Sequence, residues 1–404
     1  MEIGPILRAM TRNKLGVVLI ALQIAFTMTV MVNAIFIINE RSQLMARPSG
    51  LDEPNTFYLT STGFGEQFND EVTTAEDLDM LRNTPGVNSV TFTNAIPISG
   101  SGSSNVVRKT SDLTLPGESA AEYRVDEQAI DAMALEIIAG KNFSPSDVVV
   151  RELGADLSDP QVIIITEALA EALFPEEALN AIGRTIYVPG DSPKQVIGVV
   201  DRLQAPWPSY SNIEYSYLMP LNQIDSSTTY LIRAEPGQRD RLMLEVEELL
   251  ANSNPSRIIR KLNSIEEART ASYLVDNAMS KILYVIVITL VFITSMGIVG
   301  LAVFGINRRR KQIGTRRALG ATQPQVLRYF MTENFLITGV GVTLGAILTI
   351  GFNVFLVAGF NMPPMAWYYT PLGMLVLILV GQLAVLGPSR GAARIAPAIA
   401  TRSI

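Results

Sequence analysis

The sequence predicts a multi-pass α-helical membrane protein. It has four transmembrane helices, both termini in the cytoplasm, and a large α+β extracytoplasmic domain inserted between helices 1 and 2. Three observations predict this. Four long apolar runs interrupt the chain, and one long stretch of soluble character separates the first run from the other three. Charge is sorted between these parts. Residues Glu40 to Lys281 include 36 acidic and 19 basic side chains, a net of −17, and the remainder has 13 basic and 2 acidic, a net of +11. A bilayer sorts positive charge to its inner side. Composition agrees, with 17% charged and 48% hydrophobic residues, where about a quarter charged is usual for soluble proteins.

The 404 residues contain no cysteine and no histidine. Disulfides, iron–sulfur clusters and thiolate chemistry are therefore excluded. So are Ser-His-Asp catalysis and ordinary zinc sites, which need histidine or cysteine. No loop has the regular acidic spacing of a calcium hand. The sequence predicts no metal site and no catalytic residues, and nothing in it points to nucleic acid.

Residues 1–14 read as a cytoplasmic segment. Arg8, Arg12 and Lys14 precede the first apolar run, 15–38, and Glu40 follows it, which sets the N-terminus inside. At about 24 residues the run can cross a core of about 30 Å. It is long for a signal peptide and lacks a clear small-residue cleavage site.

Residues 39–280 read as the outer domain. Strand-like runs occur at Thr56–Thr60, Val87–Thr93, Gln161–Ile165, Thr185–Val188, Gln195–Val200 and Thr228–Arg233. Helix-like segments occur at Ala75–Arg82, Glu167–Phe174 and Arg239–Asn252. Such mixed elements, punctuated by proline and glycine, imply one α+β domain or two small lobes. Ser99–Ser104 reads as a mobile loop. Ser264–Lys281 reads as a helix running straight into the second span, and span 1 as continuing through Asn39–Met45. These are either two ordinary helix ends or a stalk. Trp207, between Pro206 and Pro208, reads as a packed ring rather than a contact point.

The second span, 281–306, stops at Arg308-Arg309-Arg310-Lys311. A cytoplasmic segment, 307–333, leads to the third span, 334–360. A short outer loop, 361–370, carries Trp367, Tyr368 and Tyr369, which suit the headgroup layer. The fourth span, 371–387, leads into a basic cytoplasmic tail, 388–404, with Arg390, Arg394 and Arg402.

The segment between spans 2 and 3 is the most informative. Gly320 is a helix stop, because glycine readily takes the left-handed conformation. Thr322 with Gln325 is a capping box, and Pro324 suits the first turn. One helix therefore ends near Leu319 and another starts at Thr322, making a basic elbow. Positive-inside sorting explains the arginines. It does not explain Ile313 and Leu319 near a cytosolic tip, which read as partner contacts.

The residues from Gln312 to Thr322, QIGTRRALGAT, resemble the signature of FtsX/MacB-type ABC transporter permeases. The tail PSRGAARIAPAIATR is similar to that family's ending. The stretch from Val162 to Val200 resembles its periplasmic core domain, and RNKLGVVLIALQIAF its first span. The resemblance covers nearly the whole chain, in order. It implies that the elbow docks on an ATPase, with Ile313, Gly314, Arg316, Arg317, Leu319, Gly320 and Ala321 as coupling residues. Two positions depart from the family pattern. Gln312 stands where glutamate is usual, and Thr401 where leucine is usual.

No G-x-x-x-x-G-K-[ST] phosphate loop occurs in the sequence. The expectation is a permease subunit that is not an enzyme by itself and holds no cofactor, with ATP and magnesium bound by a separate ABC ATPase. The resemblance further implies a second permease, identical or paralogous, and a periplasmic adaptor with an outer-membrane channel. It places the protein in the bacterial inner membrane. Gln23, Thr27, Gly297 and Gly300 mark a dimer interface between spans 1 and 2, with packing inside one chain as an equal reading. The G-x-x-x-G of Gly341 and Gly345 reads as packing within the chain. By resemblance the function is export of a peptide, antibiotic, toxin or siderophore from the periplasm. The alternatives are a signal relay to a cell-wall hydrolase and lipoprotein extraction. A membrane-bound receptor or enzyme has no motif to support it.

Overall fold

In chain order, the computed structural model describes residues 14–65, 68–152, 159–175, 178–188, 192–360 and 362–395. The expected N-terminal segment, with Arg8 and Arg12, and the end of the tail, with Thr401 and Arg402, lie outside these residues. The chain divides into two compact units, Met1–Met45 with Asp276–Ile404, and Ala46–Val275.

The first element, α1 (Lys14–Met45), extends the apolar run by two turns. The second unit begins after it. Its strands are β1 (Thr56–Gly63), β2 (Val87–Thr93), β3 (Ser103–Val107), β4 (Glu118–Arg124), β5 (Ile137–Gly140), β6 (Val149–Glu152), β7 (Val162–Thr166), β8 (Thr185–Val188), β9 (Ser192–Val200), β10 (Ser216–Met219), β11 (Leu221–Ile224), β12 (Ser227–Ala234) and β13 (Arg257–Ser264). Its helices are α2 (Asp70–Arg82), α3 (Ala129–Ala132), α4 (Glu167–Leu173), α5 (Arg239–Ser253) and α6 (Ile265–Ser272).

A four-stranded antiparallel sheet has the order β13-β1-β12-β2. A larger mixed sheet has the order β3-β4-β10-β7-β9-β5, with β8 paired to β9. The run Val162-Ile163-Ile164-Ile165 is apolar without alternation because β7 is central and covered on both faces. One core, including Tyr58, Tyr123, Ile164, Leu218 and Leu231, is shared by the two sheets. The outer region is thus one α+β unit. On α5, Leu242, Val246 and Leu250 recur every four residues and pack against Phe57, Leu59 and Ile232.

Two expectations fail here. Ser99–Ser104 is a loop only in its first part, and its last two residues are strand. Ser99 turns back onto the Ile96 carbonyl (Oγ to O, 2.8 Å), and Ser103 and Ser104 pair with Glu122 and Ala121 as edge strand β3. The approach to the second span is also not one straight helix. Ser264 caps α6 in a reciprocal box with Glu267, α6 ends at Ser272, and Tyr273 breaks the chain before the next helix. Trp207 is half-buried with its ring 5.6 Å from that of Tyr210.

The remaining helices are α7 (Leu274–Arg308), α8 (Arg310–Ala318), α9 (Gln323–Phe360) and α10 (Tyr369–Ala393). Among the described residues, α1, α7, α9 and α10 are long and apolar enough to cross a membrane. Glycines set the contacts among three of them. A Cβ on Gly341 would stand 2.8 Å from Ile24, one on Gly345 2.8 Å from Met28, and one on Gly373 2.3 Å from Val32. Close approach of α1 to α9 and α10 therefore depends on these small residues.

Candidate coupling elbow

The elbow starts at Arg309, which lies between α7 and α8 with φ −104° and ψ 10°. Its backbone N–H is shared by the carbonyls of Gly305 and Ile306, at 3.2 and 3.1 Å. The turn is therefore tightened rather than broken open. At the far end of α8, Gly320 takes φ +98° with open space where a Cβ would stand. The N–H of Ala321 returns to the Arg316 carbonyl at 3.0 Å, closing the left-handed cap expected from the sequence. The Thr322 N–H donates to Gln325 Oε1 at 2.9 Å, one half of the expected capping box.

The seven expected coupling residues fall into three groups. Ile313 and Gly314 are buried, and Ile313 packs with Ile306, Val326, Phe330, Ala392 and Ala393. The expectation that Ile313 faces a partner is therefore corrected. On a nine-residue helix it falls on the side toward α9 and the end of α10, where an apolar side chain leaves water. Arg316 and Arg317 are engaged within the elbow. The Arg316 guanidinium lies 5.3 Å over the Tyr329 ring, and Arg317 Nη1 donates to the Ala321 carbonyl at 3.0 Å. Leu319 is 83% exposed and, with Gly320 and Ala321, forms the tip.

The residues marked for a dimer interface are mostly used inside the chain. Thr27 and Thr294 hydroxyls meet at 2.7 Å, both buried. A Cβ on Gly297 would stand 2.7 Å from Gln23 Oε1. These three positions join α1 to α7. Gly300 alone faces open space, in a shallow apolar groove with Phe292, Met296, Val380 and Leu383.

Sequence reasoning passed over Glu333. It is the only acidic residue after Asp276. It accepts both terminal nitrogens of Arg309, Nη1 to Oε2 at 2.9 Å and Nη2 to Oε1 at 3.0 Å. A lone carboxylate at the cytoplasmic end of an apolar run was the available signal. No group of residues able to hold a metal ion occurs among the described residues.

The fold and its elbow define a class, a four-span membrane protein with an extracytoplasmic α+β domain after its first span. The comparisons place it further. The MacB-like periplasmic core domain matches residues 15–249, and the FtsX-like permease C-terminal domain matches residues 284–397. The chain belongs to the MacB/FtsX-like family of ABC transporter permeases. It is 26% identical over 283 residues to the macrolide export ATP-binding/permease protein MacB of Neisseria meningitidis, covering 65% of this chain and 39% of that protein. It is 22% identical over 287 residues to the uncharacterized ABC transporter permease YknZ of Bacillus subtilis, covering 69% and 68%. The chain thus spans well under half the length of the MacB relative. Among solved structures, the periplasmic region of MacB from Actinobacillus actinomycetemcomitans aligns with a TM-score of 0.33 at 18% identity, over 58% of this chain and 98% of that one.

Proposed function

We propose that this chain is the membrane subunit of a MacB-like ABC transporter in the bacterial inner membrane. A separate ABC ATPase binds ATP and magnesium and docks on the elbow. Its movement passes through the spans to the periplasmic domain, which drives a substrate out of the periplasm. A second permease copy or paralogue, a periplasmic adaptor and an outer-membrane channel complete the assembly.

The observation that carries this reading is Leu319. Leu319 is 83% exposed at the elbow tip beside Gly320 and Ala321, and a partner that covered it would gain hydrophobic free energy. Arg310 and Lys311, exposed on the same short helix, supply a basic rim. The family relationship favours an ABC ATPase as that partner. The test is retention of a candidate ABC ATPase, co-expressed with this chain, on the purified, lipid-reconstituted protein. Leu319→Asp is expected to weaken retention by about tenfold or more, as loss of a central apolar anchor does. Unchanged retention would remove the elbow tip from the interface.

A further inference from the structure

We infer that the Arg309–Glu333 pair is the positioning joint that carries elbow movement into the third span. This rests on the proposed function and adds to it the residues through which the motion is passed.

The inference starts from the position of Arg309. It is neither the last residue of α7 nor the first of α8 but the turn between them. Any displacement of α8 relative to α7 has to pass through this residue. Its guanidinium is held on α9 by two parallel hydrogen bonds to the two oxygens of Glu333, at 2.9 and 3.0 Å. Both side chains are mostly withdrawn from solvent, at 21% and 13% exposed. Arg309 Nη1 also reaches the Tyr329 hydroxyl at 3.5 Å, one turn before Glu333 on the same helix.

A fork-on-fork arginine–carboxylate pair fixes direction as well as distance, which apolar contact does not. The cluster of Ile306, Ile313, Val326 and Phe330 attracts α8 to α9 but permits sliding. Packing around the pair is incomplete. Two cavities border Arg309, one of about 50 Å³ lined also by Gly305, Glu333 and Asn334, and one of about 140 Å³ lined also by Gln312, Arg316 and Tyr329. Side chains therefore do not wedge the turn in place, and the ion pair sets its register. Along its apolar stretch α7 makes little contact with the rest of the protein, since 11% of that window is buried. The two Arg309–Glu333 bonds, with the longer Arg309–Tyr329 contact beside them, are the directional ties described between the cytoplasmic end of α7 and α9.

The absence of cysteine makes the test direct, because introduced cysteines are the only labelling sites. Spin labels at Thr315 on α8 and Leu348 on α9, both exposed, report the angle of the elbow in lipid nanodiscs. The parent is expected to give one narrow distance distribution. Glu333→Gln and Arg309→Lys are expected to broaden it by several ångströms, because neither can form the fork. The exchange Arg309→Glu with Glu333→Arg is expected to narrow it again. A second label pair, Ile288 on α7 and Leu348 on α9, both exposed, then reads span 3 against span 2 when the ABC ATPase and ATP are added. The parent is expected to shift with ATP, and Glu333→Gln to retain the bound ATPase while losing most of that shift. A Glu333→Gln protein with the parent's narrow distribution, or with the parent's ATP-driven shift, overturns the inference. If the parent retains no ATPase, the proposed function fails instead, and the first label pair still decides whether the joint exists.

Discussion

Two parts of the membrane unit are held together by different physics. Helices α1, α9 and α10 interlock. In its most apolar window α1 has 39% of residues buried and α9 has 33%, and glycines at 341, 345 and 373 let the backbones approach. Helix α7 has 11% buried; Ile298 joins the apolar cluster around Ile24 and Met28, and polar contacts at separate heights add to that limited packing. These are Arg41 with Asp276 at one end, Thr27 with Thr294 along its length, and Arg309 with Glu333 at the other end. Lipid is as apolar as leucine, so shape fit and polar contacts decide association in a bilayer. Shape fit gives a rigid body. Isolated polar ties give an element with a fixed register and freedom between its ties.

The same contrast occurs inside the outer domain. The two sheets share an apolar core, while Arg82 at the end of α2 pairs with Asp126 just after β4 at 2.7 Å. Burial raises the Asp126 carboxyl to about 6, against the opposing pull of Arg82. Here a polar tie carries a cost of its own.

The largest expected effect breaks the interlocked part. Gly341→Leu should destabilise the protein by about 3 kcal/mol or more, because the added side chain meets Ile24 and the Ala21 carbonyl. Gly300→Leu, facing open space on α7, should change stability by less than about 0.5 kcal/mol. Unfolding midpoints in one detergent compare the two, and equal effects would dissolve the distinction between the helices.

A second effect concerns Asp126. Its folded pKa lies above the ordinary value of 3.8, so the folded state binds the proton more tightly. That contribution is fully present below about pH 4 and is lost as pH rises through about 6. Relative to Asp126→Asn, the parent should lose about 2–3 kcal/mol between pH 4 and 7. Denaturant midpoints across that range test it, and parallel curves for the two proteins would show that the carboxyl is not buried as described. The smallest effect belongs to α7. Thr27→Val should cost about 0.6 kcal/mol while widening the distance distribution between labels on α1 and α7. A stability loss as large as that of Gly341→Leu would mean that α7 is packed after all.

The four spans were legible because lipid demands long uncharged runs, and the helix ends overran those runs where polar residues carry them into water. The central strand β7 was legible because burial on both faces leaves an unbroken apolar run. Strands β3 and β13 were not. They are edge strands held by backbone pairing to β4 and β1, and polar side chains such as Ser103 or Arg260 break up any apolar alternation along them. At the elbow, the glycine stop and the cap were legible because they are local. The orientation of Ile313 was not, because only the packed ends of α9 and α10 give α8 an inside. Glu333 was overlooked for the same reason, since its partner is 24 residues away in sequence.

The break at Arg309 also has a mechanical meaning. With α8 nine residues long and α7 thirty-five, the arms on either side of the pivot are about 13 and 52 Å. If the turn keeps its angle, a displacement of about 3 Å at Leu319 tilts both arms by about 13°, from the rise per residue. Were it not also tied at Thr294 and Asp276, the remote end of α7 would sweep about four times as far as the tip was pushed, at about a quarter of the force, so those ties take up the amplified motion. Such gearing suits a drive in which a small closure on one side of a membrane has to become a long stroke on the other.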